Sequence, residues 1–178
     1  MRVIPIFVLL FPLAAMAQSC PPLPERVDEH NRLMEAARLA PDAESGRIAT
    51  NRLWQFWATA PDQKAQKLLD DGMARRASYD FDAAGKAFDA LIAYCPDYAE
   101  GYNQRAFIHF LRDEYERALE DLETTLELQP DHIAAMTGMA LTLQRLGRIK
   151  ASQSVLRQAL KLNPWLPERA LLIDSKEL

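Results

Sequence analysis

Prolines recur at a fixed interval along the chain, and this interval constrains the fold more than any other sequence feature. Pro96, Pro130 and Pro164 lie 34 residues apart, and Pro61 lies 35 residues before the first of them. Because proline ends the helix before it, the interval marks units of equal length that finish at the same place. Asp62, Asp97 and Asp131 follow three of the prolines. An Asp side chain at such a place is predicted to cap the next helix.

Bulky and small residues follow the same period. The bulky ladder is Phe81, Tyr115 and Ile149, and the small ladders are Gly72, Ala106 and Ala140, and Ala84, Ala118 and Ser152. Small residues on facing helices allow two antiparallel helices to approach to roughly 8–10 Å. Glycine is scarce, at 6 residues, and strong helix formers dominate the composition. Each unit is therefore predicted to be a hairpin of two helices.

This pattern resembles the tetratricopeptide repeat (TPR) family, whose signature alternates bulky and small residues in one helix and closes the next with proline. The match is strongest over 99–132, with Tyr102, Ala106, Leu122 and Pro130. The resemblance implies an all-α fold, a right-handed α-solenoid of TPR helix hairpins. The predicted units are a degenerate repeat 30–64, the repeats 65–98, 99–132 and 133–166, and a C-terminal capping helix 167–178.

The resemblance also implies a concave groove, lined by the first helix of each repeat, that binds a protein or peptide partner. The groove residues carried over from the family are Leu69, Met73, Arg76, Asn103, Phe107, Phe110, Thr137, Leu141 and Gln144. This surface is mostly apolar with a few polar anchors. Leu69 and Met73 stand where the chaperone-binding members begin their carboxylate clamp, so the resemblance does not extend to binding of chaperone tails.

The first residues have the features of a signal peptide. A short positive start precedes an apolar run over 3–13, and Ala15 and Ala17 give the small-x-small pattern that a signal peptidase reads. The run is too short, and too interrupted by proline, to span a membrane. We predict a signal peptide 1–17, a proline-rich segment 18–29 and a TPR domain 30–178. The predicted location of the mature chain is periplasmic or secreted.

Two cysteines, Cys20 and Cys95, are present. In an oxidising compartment they are predicted to form a disulfide, since the extended proline-rich segment is long enough to span two stacked repeats. The alternative, that they are unrelated and Cys20 pairs with another chain, stays open. A further hypothesis seats Pro21–Pro24 on Met73, Phe107 and Phe110 as a lid held by the disulfide.

The aromatic cluster 54–57 is predicted to fill the core between repeats, and an exposed Trp within it would act as a recognition anchor.

Catalytic and cofactor chemistry has no recognisable motif in this sequence. The three histidines have no metal-site spacing, no glycine-rich phosphate loop appears, and no serine lies in a nucleophile context. A formal net charge of −4 and a pI near 5.4 argue against nucleic-acid binding. We therefore expect no enzyme activity, no metal, no cofactor and no membrane span. The predicted function is a periplasmic interaction scaffold or adaptor, and the alternative is a self-associating structural protein of the cell envelope.

Overall fold

Helices make up most of the part of the chain that is described in a computed structural model, residues 19–174. The predicted signal peptide and the last four residues of the predicted capping helix lie outside this range. The α-helices are α1 Val27–Arg38, α2 Ala43–Trp57, α3 Gln63–Ala77, α4 Phe81–Tyr94, α5 Ala99–Leu111, α6 Tyr115–Leu128, α7 Ile133–Arg145 and α8 Ile149–Leu162. Residues 19–174 contain no β-strand. The prediction of an all-α fold is confirmed.

The helices α3 to α8 form three hairpins, each helix packed against the next. The second helices begin at Phe81, Tyr115 and Ile149, as the bulky ladder predicts. The small ladders mark the closest approaches: Ser152 Oγ donates to the carbonyl oxygen of Ala140 at 2.6 Å. A Cβ atom at Gly72 would clash with the ring of Phe88, four residues beyond Ala84. These contacts give the stacked hairpins of an α-solenoid.

Helix capping follows the predicted pattern only in part. Asp62 caps α3, because its carboxylate accepts a bond from the amide three residues later at 2.8 Å. Asp97 and Asp131 do not cap, because α5 and α7 begin one residue further on, with Tyr98 and His132 at the N-cap. His132 caps α7 with its imidazole ring, because Nδ1 accepts a hydrogen bond from the backbone amide of Ala135 at 3.2 Å.

The hairpin of α1 and α2, which corresponds to the degenerate repeat 30–64, does not continue the solenoid. Within the described residues, α2 lacks the side-by-side packing on α3 that joins α4 to α5 and α6 to α7. Its apolar face packs instead against the last repeat, where Leu53 and Trp57 share a buried cluster with Ile133, Ala159 and Leu166. The hairpin therefore bridges from the start of the solenoid to its end.

Polar contacts hold the hairpin on the last repeat. Asn163 Nδ2 donates to Thr50 Oγ1 at 2.8 Å, and Trp165 Nε1 donates to the carbonyl oxygen of Ala40 at 2.7 Å. Gly46 lies directly against Trp165, where a Cβ atom would come within 2.5 Å of the Trp165 Cβ. The absence of a side chain at Gly46 is thus a condition for this docking.

The disulfide predicted from the two cysteines is present between Cys20 and Cys95, whose Cα atoms are 5.1 Å apart. It fixes the proline-rich segment along the turn over 93–98. Leu23 and Pro24 then run beside the end of α2. The hypothesis of a proline lid on Phe107 and Phe110 is therefore wrong, since the segment lies elsewhere.

The capping helix predicted over 167–178 is a five-residue 3₁₀ helix, Pro167–Leu171. The chain beyond it is non-helical up to residue 174. The side-chain amide of Gln153 explains this difference, because it pairs with the carbonyl of Leu171 at 2.8 Å and the amide of Ile173 at 2.9 Å. These bonds to α8 satisfy the backbone groups that a longer helix would have paired internally.

Replacing Gly46 with alanine is expected to loosen the hairpin, because the new methyl group overlaps Trp165. Hydrogen exchange of the amides in α1 and α2 should become faster by tenfold or more, roughly 1.4 kcal/mol, and exchange in α4 should be unchanged. The matched control is Gly85→Ala in α4, where a Cβ meets nothing within 4 Å. Equal exchange in both variants would contradict the docking.

Removing the disulfide by the double change Cys20→Ser/Cys95→Ser is expected to lower the free energy of unfolding. The bridge links residues 75 positions apart, and loop closure over that length corresponds to about 4 kcal/mol at most. Urea denaturation of the variant and of the oxidised wild type measures the difference. Coincident unfolding midpoints would show that the segment is held without the bridge.

Candidate binding groove

An open cavity of about 260 Å³ lies between α5 and α7 on the face formed by the first helices of the repeats. The predicted groove residues that line it are Asn103, Phe107, Phe110, Thr137 and Leu141. Their spacing of three or four residues places those of α5 on one face, and those of α7 on another that meets it. The structure thus brings together five of the nine predicted residues.

The groove continues beyond this cavity. A second depression shares Phe110 and Leu141 with the first and extends to Gln144, Arg145 and Leu171. Gln144, another predicted groove residue, therefore lies at this far end. The two depressions form one channel, which we call the α5–α7 groove, with Phe110 and Leu141 at its middle.

Residues from outside α5, α6 and α7 also line the first cavity, and repeat periodicity did not predict them. They are Trp54 of α2 and Glu168 of the 3₁₀ helix. Of the aromatic cluster 54–57, Trp57 is buried as core, but Trp54 is half-buried at the cavity. The alternative of an accessible tryptophan therefore applies to Trp54. Glu168 could not be predicted from the sequence, because it is a single acidic residue in a short segment without a motif.

Three predicted groove residues on α3 lie outside the cavity. Leu69 is wrong as a binding residue, because it is 0 % exposed and packs with Ala84 and Phe88 in the core between α3 and α4. Met73 is half-buried and packs against the same core. Neither side chain lines the α5–α7 groove, so the α3 part of the prediction does not describe an open surface.

Arg76 is held in place by its neighbours on α5. Its guanidinium donates to Gln104 Oε1 and lies over the ring of Phe107, 5.0 Å from the ring centroid. Burial lowers the pKa of Arg76, while the negative charge of Glu100 acts in the opposite direction. Arg76 therefore shapes the edge of the groove by orienting Phe107, whose side chain remains 44 % exposed.

A buried polar cluster lies behind the groove and centres on Glu100, which is 2 % exposed. Its carboxylate accepts bonds from Asn103 Nδ2 at 3.0 Å, Gln104 Nε2 at 2.5 Å and His132 Nε2 at 3.0 Å. His132 Nδ1 is the acceptor at the helix cap, so its hydrogen is on Nε2. Trp57 stacks on the His132 ring with centroids 3.9 Å apart. The cluster joins α2, α5 and α7.

This cluster limits which polar group of Asn103 is available to a ligand in the groove. The side-chain amide group donates to Glu100, and the residue is only 7 % exposed. Its side-chain carbonyl oxygen is therefore the group that remains for a ligand amide.

Other chemistry-bearing residues have structural roles. His109, a buried side chain in α5, lies with Nδ1 2.6 Å from a carboxylate oxygen of Glu114. In residues 19–174, no group of His, Cys, Asp and Glu side chains is arranged to hold a metal ion. None of the helices described there is both long and apolar enough to cross a membrane.

Stacked helix hairpins with an apolar groove on one face define the class of helical-repeat binding scaffolds. The family model of the tetratricopeptide repeat matches residues 97–164. A TPR repeat-containing protein of Rhizobium etli is 30% identical over 121 residues, which cover 68% of this chain and 52% of that protein. The STIP1 homolog of Dictyostelium discoideum is 30% identical over 102 residues, 57% of this chain and 18% of that protein. The chain is a tetratricopeptide repeat protein.

The fold is shared with solved structures at low sequence identity. The first TPR of Spaghetti (RPAP3), bound to the HSP90 peptide SRMEEVD, has a TM-score of 0.60 at 18% identity and covers 61% of this chain and 86% of that one. The TPR2B domain of yeast Sti1, in complex with an Hsp70 peptide, has a TM-score of 0.56 at 22% identity and covers 57% and 81%. The chain spans about half the length of the Rhizobium relative and less than a fifth of the Dictyostelium one.

The change Glu100→Ala is expected to destabilise the fold by about 3 kcal/mol, because it leaves three buried donors without their acceptor. Urea denaturation measures the loss. Glu116→Ala, on the exposed face of α6, is the control and should change the free energy of unfolding by about 0.5 kcal/mol or less. Equal stability of the two variants would show that the cluster does not support the fold.

Proposed function

We propose that this protein is an exported adaptor that binds a segment of a partner protein in the α5–α7 groove. The observation that carries the proposal is the open apolar cavity between Phe107 and Leu141. A concave site lined mainly by apolar side chains with a few polar groups is the usual form of a ligand site. The side chains are held from behind by the Glu100 cluster, so the groove is formed before any ligand arrives, which reduces the ordering cost of binding.

Relatives of known structure support a peptide ligand. The Spaghetti domain holds an HSP90 peptide and the Sti1 domain an Hsp70 peptide. Our protein shares their fold, and we propose that it shares the use of the concave face. We propose that the ligand of this protein differs from the HSP90 and Hsp70 peptides, because Leu69 of α3 is buried and unable to contact a ligand.

Export is supported by two independent features. The residues over 1–17 have the pattern of a cleavable signal peptide. The chain also carries a disulfide between Cys20 and Cys95, and such bonds persist in oxidising compartments. Cell fractionation with N-terminal sequencing of the mature chain tests this part. A start at Gln18 in a periplasmic or extracellular fraction is expected, and an intact Met1 in the cytosol would refute it.

The binding test compares the mature protein with the variant Phe107→Ala/Leu141→Ala in capture experiments from extracts of the producing cells. Both side chains are at least partly accessible, so the change should preserve the fold. Loss of two apolar anchors is expected to weaken binding by tenfold or more. The control is Leu39→Ala/Leu111→Ala, two exposed leucines outside the groove.

A partner that is retained by the wild type and the control but lost with the groove variant supports the proposal. Equal capture by all three proteins would place the binding surface elsewhere. Capture of the chain alone, with a solution mass well above 20.2 kDa, would favour the self-associating structural protein.

A further inference from the structure

The carboxylate of Glu168 stands out among the groove residues, because it lines an otherwise largely apolar cavity and has no ion-pair partner in residues 19–174. Within the described residues, no basic side chain lies within ion-pair distance of it. Its neighbour in sequence, Arg169, is engaged elsewhere, with its guanidinium 4.9 Å from the centroid of the Trp165 ring. Among residues 19–174, no basic side chain neutralises the negative charge that the half-buried Glu168 presents to the groove.

The surroundings of Glu168 make this charge effective. Trp54, Phe107 and Leu141 line the same cavity and lower the local polarity. A charge next to apolar walls interacts more strongly with a ligand than the same charge on an open surface.

The first cavity, with a volume of about 260 Å³, accommodates one large apolar side chain. The channel that continues from it past Phe110 and Leu141 leads the ligand out along α7. An extended peptide fits this form, with one side chain inserted and its neighbours along the channel.

The far end of the channel carries the opposite charge. Arg145 lines the second depression and is exposed there, beside Gln144 and Leu171. The groove therefore presents charges of both signs, and a basic residue of a ligand is attracted by Glu168 and repelled by Arg145.

We infer that the α5–α7 groove recognises a peptide segment in which a bulky apolar side chain stands next to a lysine or arginine. The apolar side chain enters between Phe107 and Leu141, and the adjacent cation pairs with Glu168. This inference rests on the proposed function, and it adds the chemical class of the ligand. It also separates this groove from one that grips a terminal carboxylate, since the charge beside the apolar walls of the first cavity is negative.

The test begins with a random heptapeptide library displayed on phage, selected on the mature protein and on Phe107→Ala/Leu141→Ala. Peptides enriched on the wild type alone are expected to contain an aromatic or branched aliphatic residue beside lysine or arginine. The best peptide is then synthesised in two forms, the selected sequence and one with its basic residue replaced by glutamine. Binding of both forms is measured to the wild type, to Glu168→Gln and to the control Glu123→Gln on the exposed face of α6.

The expected loss on Glu168→Gln is about threefold to tenfold for the basic peptide, and this loss should shrink at high salt. The glutamine peptide should bind the wild type and Glu168→Gln equally, and Glu123→Gln should bind both peptides as the wild type does. Because Glu168 has no ion-pair partner among the residues that the structure describes, its replacement should not change the thermal melt.

The remaining outcomes separate this inference from the proposed function. Enriched peptides with acidic or uncharged neighbours that still depend on Phe107 and Leu141 would overturn the inference and leave the peptide-binding function in place. An equal loss for both synthetic peptides on Glu168→Gln would overturn it as well, since the effect would not involve the ligand cation. Peptides that bind the Phe107→Ala/Leu141→Ala variant as well as the wild type would overturn both proposals.

Discussion

The buried carboxylate of Glu100 connects the helices on which the groove depends. It binds Gln104 and Asn103 on its own helix and His132 at the start of α7. Gln104 in turn accepts a bond from Arg76 of α3, so that Glu100 and Gln104 together link three successive repeats. Such a charge is stable in the interior only when all its partners are present, which fixes the spacing of α5 and α7 and hence the width of the groove.

The sequence predicted the three regular repeats well, because local periodicity determines them. It could not place the α1–α2 hairpin, since every repeat end offers a similar apolar surface and the deciding contacts, such as Asn163 with Thr50, join residues 113 positions apart. The sequence also did not reveal a further set of equivalent positions, which follow the first helix of each repeat and adopt a positive φ. These positions, 34 residues apart, are Tyr79, Asp113 and Gly147. Only Gly147 is of a residue type that predicts a positive φ.

The groove residues were predicted from their position in the repeat, and this position does not determine how deeply each side chain is buried. Leu69, Asn103 and Thr137 occupy the same position in successive repeats, and all three are buried. Where this position carries Asn103 or Thr137, it still borders the cavity between α5 and α7. Where it carries Leu69, it belongs to the core of the first hairpin. Glu168 and Trp54 enter the site through tertiary packing of the chain ends, which repeat periodicity does not encode.

The bridging hairpin also limits how this chain can evolve in length. Open solenoids grow by tandem duplication, because a new unit needs only its two neighbours. Here a duplicated unit between α3 and α8 would move the last repeat away from the hairpin by roughly 8–10 Å for each added helix. The pairs Asn163–Thr50 and Trp165–Ala40 would then separate. The contacts of the hairpin are compatible only with three repeats. Related proteins that retain these contacts should therefore differ in amino-acid sequence but not in the number of repeats.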